Sequence, residues 1–282
     1  MEDLRPRRSV LYLPAANARA IEKARTLACD CVILDLEDAV APDAKASARL
    51  AAVAAVGAVG WGPREVLLRV NGIGTPWSDE DFLAARAAGV AGIVVPKVDS
   101  LADVAEAVRR AAGIPVWAMI ETPRGVFAAD LIAAVPGITA LVAGTADLTK
   151  DLRAYPGADR TPLLYSLSRI VLAARAGNVL VFDGVFGDID DVAGFEAEAT
   201  QGRALGFDGK TVIHPSQIDV VNRVFSPSAA DIADAHGLIA AYAAALADGR
   251  GVTTYKGRMV EVLHVAAARR LLASSGAAAV TV

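Results

Sequence analysis

Along most of this chain, short apolar and β-branched runs alternate with longer stretches in which Ala and Leu recur at helical spacing. The runs cover residues 9–13, 31–36, 65–70, 92–96, 116–120, 140–143, 179–182 and 207–213. Helical patterns follow them at 18–27, 44–56, 78–88, 101–112, 124–135, 161–176, 188–205 and 216–225. A continuous apolar run suits a parallel strand buried on both faces, and the helix carries the chain back to start the next strand. Eight such units predict an α/β fold whose sheet closes into a TIM (β/α)8 barrel. An open doubly wound sheet is disfavoured because no glycine fingerprint follows the first run.

The alternation ends near residue 225, so 1–225 is expected to be the barrel. Residues 228–248 read as one long helix. Ser228, with Asp231 three positions on, resembles a capping box, and Gly249-Arg-Gly251 stops the pattern. Residues 252–257 look extended, and 258–273 read as a last helix. The stretch 226–282 is therefore expected to be a C-terminal helical arm, too small for a core of its own. Such an arm packs on the barrel or on a neighbouring subunit.

A length of 282 residues fits one barrel, and 54% hydrophobic with 5% aromatic residues means a core built from Ala, Val, Leu and Ile. The net charge of −4 argues against nucleic-acid binding, which needs a basic stripe. A local Arg or a metal can still receive an anion. Cys29 and Cys31 make neither a disulfide framework nor a zinc set and read as packing residues. Residues 1–8 carry basic side chains with no apolar segment behind them long enough for a signal peptide. The most apolar window, 50–60, is too short to span a bilayer. The expectation is a soluble cytoplasmic protein.

Parallel barrel strands end on one face, where enzymes of this architecture gather their chemistry. Glu121 closes the run 116–120, and Asp147 follows the run 140–143. Two carboxylates from consecutive strands suit a hard divalent cation such as magnesium, or manganese, whose other positions go to water and substrate. Thr122 and Pro123 are helix-start residues, which leaves Glu121 without a local role. Asp147 also reads as a helix cap, while backbone N–H groups of 144–147 can receive a carboxylate. Asp35-Leu-Glu-Asp38 reads either as a solvated turn, with Asp43 capping the next helix, or as carboxylates that hold metal-bound waters. Arg69, inside an apolar strand, pairs with those acids, forks onto a substrate carboxylate, or does both. Lys97 reads as an electrostatic contributor or a surface lysine, and His214 as a hydrogen-bonded packing residue more than a base.

Seven blocks occur in one order: Arg8-Ser-Val-Leu-Tyr-Leu-Pro14, Asp35-Leu-Glu-Asp38, Leu68-Arg-Val-Asn71, Val95-Pro-Lys97, Ile120-Glu-Thr-Pro-Arg-Gly125, Gly144-Thr-Ala-Asp-Leu148 and Gly209-Lys-Thr-Val-Ile-His-Pro215. Together they resemble the citrate lyase beta subunit and its relatives, the malyl-CoA and citramalyl-CoA lyases, within the wider HpcH/HpaI aldolase superfamily. The resemblance implies a TIM barrel assembling as a homotrimer or hexamer. It implies magnesium on Glu121 and Asp147, with waters near Glu37 and Asp38. Arg69 would grip the carboxylate of a 2-oxo acid, and Gly144, Thr145, Ala146 and Asp147 would bind the same acid. Pro14, Asn17 and Lys23 would belong to the CoA side.

In the CoA-lyase relatives the C-terminal arm presents an Asp to a neighbouring subunit's site, in a Gly-Lys-Met-Val-Asp-x-Pro stretch. Here Gly257-Arg-Met-Val-Glu-Val-Leu263 puts Glu261 in the place of that Asp and Leu263 in the place of the Pro. The Glu261 carboxylate sits one methylene farther out, a displacement that matters in a geometry-sensitive step. The implied reaction cleaves a 3-hydroxy-acyl thioester of citryl, citramalyl or malyl type. The products are an acetyl thioester and a 2-oxo acid such as oxaloacetate, with Glu261 protonating the enolate. Two alternatives stand beside it: a class II pyruvate aldolase acting without CoA, and a binding subunit that turns over only with an acyl carrier protein.

Overall fold

The computed structural model describes residues 5–274 apart from 156 and 158. Its eight parallel strands are β1 (Ser9–Pro14), β2 (Cys31–Asp35), β3 (Glu65–Arg69), β4 (Gly92–Val95), β5 (Val116–Ile120), β6 (Ile138–Ala143), β7 (Leu180–Asp183) and β8 (Gly209–Val212). Each pairs with the next, and β8 returns to β1 through Val10↔Thr211, which closes the barrel. β2, β4 and β5 are buried at every position, as the continuous apolar runs require, and so is β8 although it carries Lys210 and Thr211.

The barrel is filled, not hollow. Val10, Ile33, Leu67, Val94, Trp117, Val142 and Phe182 point inward, and the Trp117 and Phe182 rings stack at 4.6 Å between centroids. Cys31 belongs to this interior and Cys29 is buried, both free thiols raised in pKa by burial, in keeping with packing roles.

The helices are α1 (Ala18–Ala24), α2 (Lys45–Gly57), α3 (Ser78–Ala88), α4 (Leu101–Ala111), α5 (Pro123–Ala133), α6 (Thr145–Asp151), α7 (Leu164–Gly177), α8 (Val192–Leu205), α9 (Ile218–Val224), α10 (Ala229–Ala247) and α11 (Val262–Ser274). Thr122 caps α5 by accepting from Gly125 N at 3.0 Å, with Pro123 in the first turn. The N-cap position of α2 is Ala44, which makes no side-chain cap, so Asp43 does not have the capping role open to it in the sequence. α6 starts at Thr145, two residues before the Asp147 that reads as a helix cap, and its seven residues are too few for a periodic signal.

Arg7–Asn222 forms one compact unit, and residues 223–274 belong to a second. In the second unit, Ser228 and Asp231 cap α10 reciprocally, as the sequence suggests. The helix expected over 258–273 is corrected at its start. Arg258–Val260 is a strand, β10, antiparallel to β9 (Thr253–Tyr255). Lys256 and Gly257 both adopt positive φ, the two-residue turn that closes a tight hairpin. α11 begins only after Glu261, whose carbonyl accepts from His264 N and Val265 N. Two small apolar clusters hold this unit: Ala235 with Ala268 and Leu272, and Tyr242 with Val260 and Val265. The arm thus has a modest core of its own.

Candidate active site at the barrel mouth

The carboxyl ends of the strands open onto a cavity of about 390 Å³. Pro14, Asp35, Asp38, Arg69, Glu121 and residues 144–147 all line it. The chain thereby brings Glu121 and Asp147 to one space from consecutive β/α units.

Glu121 is 4% exposed. Its Oε1 accepts from Lys97 N at 2.7 Å. A Cβ on Gly144 would overlap the Glu121 side chain, so glycine is what lets the turn before α6 close over this carboxylate. Burial, and then the charge of Glu37, pushes the Glu121 carboxyl up to about 7. Asp147 sits in the first turn of α6, where the N-cap position is Gly144, so it does not act as the cap. Lys97 Nζ stands 3.5 Å from Asp147 Oδ2.

Opposite them, Arg69 forks onto Asp35, with Nε to Oδ1 and Nη2 to Oδ2 both at 2.7 Å. Its third nitrogen, Nη1, lies 2.9 Å from Glu37 Oε2 but off hydrogen-bond alignment, which leaves that buried oxygen without a true partner. The Tyr12 ring flanks the guanidinium at 5.0 Å. Burial opposes the charge on Arg69, yet the Asp35 bonds together with the neighbouring Tyr12 and Glu37 hold the pKa above its ordinary value. Arg69 is therefore ion-paired and cavity-lining at once.

Glu37 is buried behind the cavity wall, and its other oxygen takes Lys97 Nζ at 2.6 Å. Burial raises the pKa of its carboxyl despite these cations. Lys45 fixes this acidic loop by donating to Leu36 O and Glu37 O, each at 2.8 Å, and Asn71 Nδ2 donates to Leu36 O at 3.0 Å.

The residues expected on a CoA side divide. Pro14 lines the cavity, whereas Asn17 is exposed and caps α1 by accepting from Ala20 N at 3.0 Å, and Lys23 is exposed on α1. Glu261 belongs to the C-terminal unit, where its backbone N donates to His264 Nδ1 at 3.0 Å. His214 caps the turn after β8 through Ser216, a structural role. Sequence reasoning missed Tyr12, Met119, Val142 and Thr211 as cavity-lining residues. The period-2 alternation of β1 and β5 carried that signal, because Tyr12 shares a face with Val10 and Met119 with Trp117. Lys97 was undervalued, since the sequence holds no sign that its backbone and ammonium meet two different carboxylates.

The donor set fits a hard divalent cation. Asp35, Glu37, Asp38, Glu121 and Asp147 bring five carboxylates against the charges of Arg69 and Lys97. Among the described residues no three His, Cys, Asp or Glu side chains group as ligands. Two carboxylates with open positions is how magnesium is usually held, and is too few for a structural zinc site.

Residues 8–215 match the family described as HpcH/HpaI aldolase/citrate lyase, and 157–280 match a carbon–carbon bond lyase family of the TIM-barrel fold. The chain belongs to the HpcH/HpaI aldolase/citrate lyase family. This is the family that the seven motif blocks resemble. A (3S)-malyl-CoA thioesterase of Cereibacter sphaeroides is 44% identical over 274 residues, covering 97% of this chain and 96% of the relative. An L-malyl-CoA/beta-methylmalyl-CoA lyase of that species is 35% identical over 292 residues, covering 93% and 92%. Among solved structures, protein CitE from Mycobacterium tuberculosis in complex with magnesium, acetoacetate and coenzyme A superposes with a TM-score of 0.83. It shares 33% identity, over 97% of this chain and 99% of that one. Among the described residues no helix is long and apolar enough to cross a membrane.

Proposed function

We propose that this chain is a magnesium-dependent enzyme of malyl-type CoA thioesters. In this reading it breaks the bond between the hydroxyl-bearing carbon and the thioester α-carbon. The observation that carries the reading is that Glu121, Asp147 and Arg69 line one cavity at the barrel mouth. Support also comes from the relatives named for malyl-CoA and from the magnesium and coenzyme A bound to the CitE structure.

Glu121 and Asp147 would hold the ion. A bound magnesium ion supplies Lewis acidity that lowers the pKa of a chelated substrate hydroxyl. Arg69, fixed by Asp35, orients the substrate carboxylate and neutralises its charge. The N–H groups of Thr145 and Ala146 lie in the first turn of α6, where N–H groups lack intrahelical acceptors, and donate to the same carboxylate. Met119 and Val142 supply an apolar wall that limits water at the reacting carbons. Asp38, which lines the cavity, would hold ordered water beside the ion, with Glu37 behind the wall. Water held by Asp38 takes the hydroxyl proton, and the carbon–carbon bond opens to a 2-oxo acid and a thioester enolate. Glu261, delivered by the arm of a neighbouring copy in a homotrimer or hexamer, protonates that enolate.

Thioester hydrolysis is a second reading, favoured by the 44% identity to (3S)-malyl-CoA thioesterases. The same grip on the malyl group serves both. One incubation with (3S)-malyl-CoA and magnesium separates them. Cleavage of the carbon–carbon bond yields glyoxylate and acetyl-CoA with no free thiol. Hydrolysis yields malate and one free thiol per substrate consumed. Neither product set, with citramalyl-CoA and citryl-CoA equally inert, would sink both readings.

A further inference from the structure

We propose that Lys97 sets the metal affinity of this site by competing with the divalent cation for its carboxylates. The inference rests on the metal-site reading above. Lys97 follows β4 and adopts φ +51°, a left-handed conformation that residues with a Cβ seldom take. That geometry lets one residue act twice. Its backbone N–H donates to Glu121 Oε1 at 2.7 Å. Its ammonium donates to Glu37 Oε1 at 2.6 Å and stands 3.5 Å from Asp147 Oδ2.

The ammonium therefore neutralises one proposed ligand and the acid behind the site, while the backbone fixes the other ligand. A divalent ion shared by Glu121 and Asp147 stands within a few ångströms of this positive charge, and the two repel. The Lys97 side chain is 46% exposed, so its ammonium can retreat from Asp147 into water. The fully buried Lys210 has no such freedom. The arrangement trades metal affinity for a carboxylate cluster that does not repel itself when unloaded.

Calorimetric titration of the full chain with magnesium or manganese, without substrate, tests this directly. Lys97→Met and Lys97→Gln should each bind the ion about tenfold more tightly than wild type, the scale on which one nearby charge shifts an ionic equilibrium. Each should also melt lower without metal and gain more in melting temperature from saturating magnesium. Lys150→Met is the control: its ammonium lies 3.9 Å from Asp147 Oδ1, but the side chain is 79% exposed and screened by solvent, so its affinity should change less than about twofold. Equal or weaker metal binding in both Lys97 variants would overturn the proposal. An equal gain in the Lys150 variant would do the same by reducing the effect to general surface charge. If wild type binds metal, Glu121→Gln does not, and the Lys97 variants bind no tighter, only this inference falls. If wild type itself binds neither ion, the metal-site reading falls with it.

Discussion

Two charge clusters lie at the carboxyl half of this barrel, and they are built on opposite principles. Behind β7 and β8, Arg160 and Lys210 meet Asp183 and Glu198, and Lys210 and Asp183 are both fully buried. Arg160 Nη1 donates to Asp183 at 2.8 Å, and Lys210 Nζ to Glu198 at 2.7 Å. Cations and carboxylates match there, the Gln201 side chain and the Glu198 and Gly184 carbonyls satisfy the remaining donors, and the cluster lies outside the cavity lining. At the mouth five carboxylates face Arg69 and Lys97, with Lys45 behind the acidic loop and Lys150 exposed at the rim, a cavity opens beside them, and Glu37 Oε2 is left without an aligned donor. A buried network that balances itself is a structural anchor. One left short of positive charge next to an open space is built to receive a cation and an anionic ligand. The barrel thus carries stability and chemistry in neighbouring but separate sets of charges.

The sharpest way to break this contrast is Glu121→Gln. It should lower metal-dependent turnover by more than about 100-fold, beyond what a change behind the ligands costs, while leaving the melting temperature near wild type. Wild-type turnover with magnesium present would remove the open cluster from the chemistry. Lys210→Met addresses the other side. Removing one of the two cations leaves Arg160 alone against the buried Asp183 and Glu198 and should cost about 3–5 kcal/mol in denaturant unfolding, and a loss below about 1 kcal/mol would show that the closed cluster is not an anchor.

A matched pair of glycine substitutions sharpens the distinction. Gly144→Ala puts a methyl into the space of Glu121 and should cut turnover by about 100-fold through misplaced geometry, with a smaller effect on stability. Gly202→Ala crowds Asp183 instead and should cost about 1–3 kcal/mol of stability without changing the apparent metal affinity. The smallest effect is expected from Arg69→Lys, which keeps a charge but loses the fork to Asp35. KM should rise about tenfold, the worth of one charge-assisted hydrogen bond, and initial-rate measurements over substrate concentration would read it.

Much of the architecture was legible along the chain because a filled parallel barrel demands the same local pattern eight times. Val116–Ile120 and Ser78–Ala88 begin and end where their residue patterns do. The Ser228 capping box was readable because its chemistry lies within four residues. The hairpin before α11 was not, since Arg258-Met-Val260 carries apolar residues that fit either a helix start or a strand, and the Lys256-Gly257 turn decides between them. At the mouth, Glu121, Asp147 and Arg69 stood out because a charge that ends or interrupts an apolar strand needs a reason. Tyr12 and Lys97 did not, because an aromatic residue on an inward face and a lysine after a proline are unremarkable until their neighbours are known.

By itself the sequence determined the strand–helix alternation, the closed barrel that eight such units form, and the acids that terminate its strands. Those features follow from local periodicity and from the cost of placing charge beside apolar runs. Only the tertiary structure decided that Asp35 takes two nitrogens of Arg69, that Lys97 joins Glu37 to Asp147, and that Lys210 lies within a balanced set of charges instead of in the cavity. Partners 12 to 60 residues apart along the chain meet only once strand register and barrel closure bring them together, and Coulomb energy depends on that separation in space.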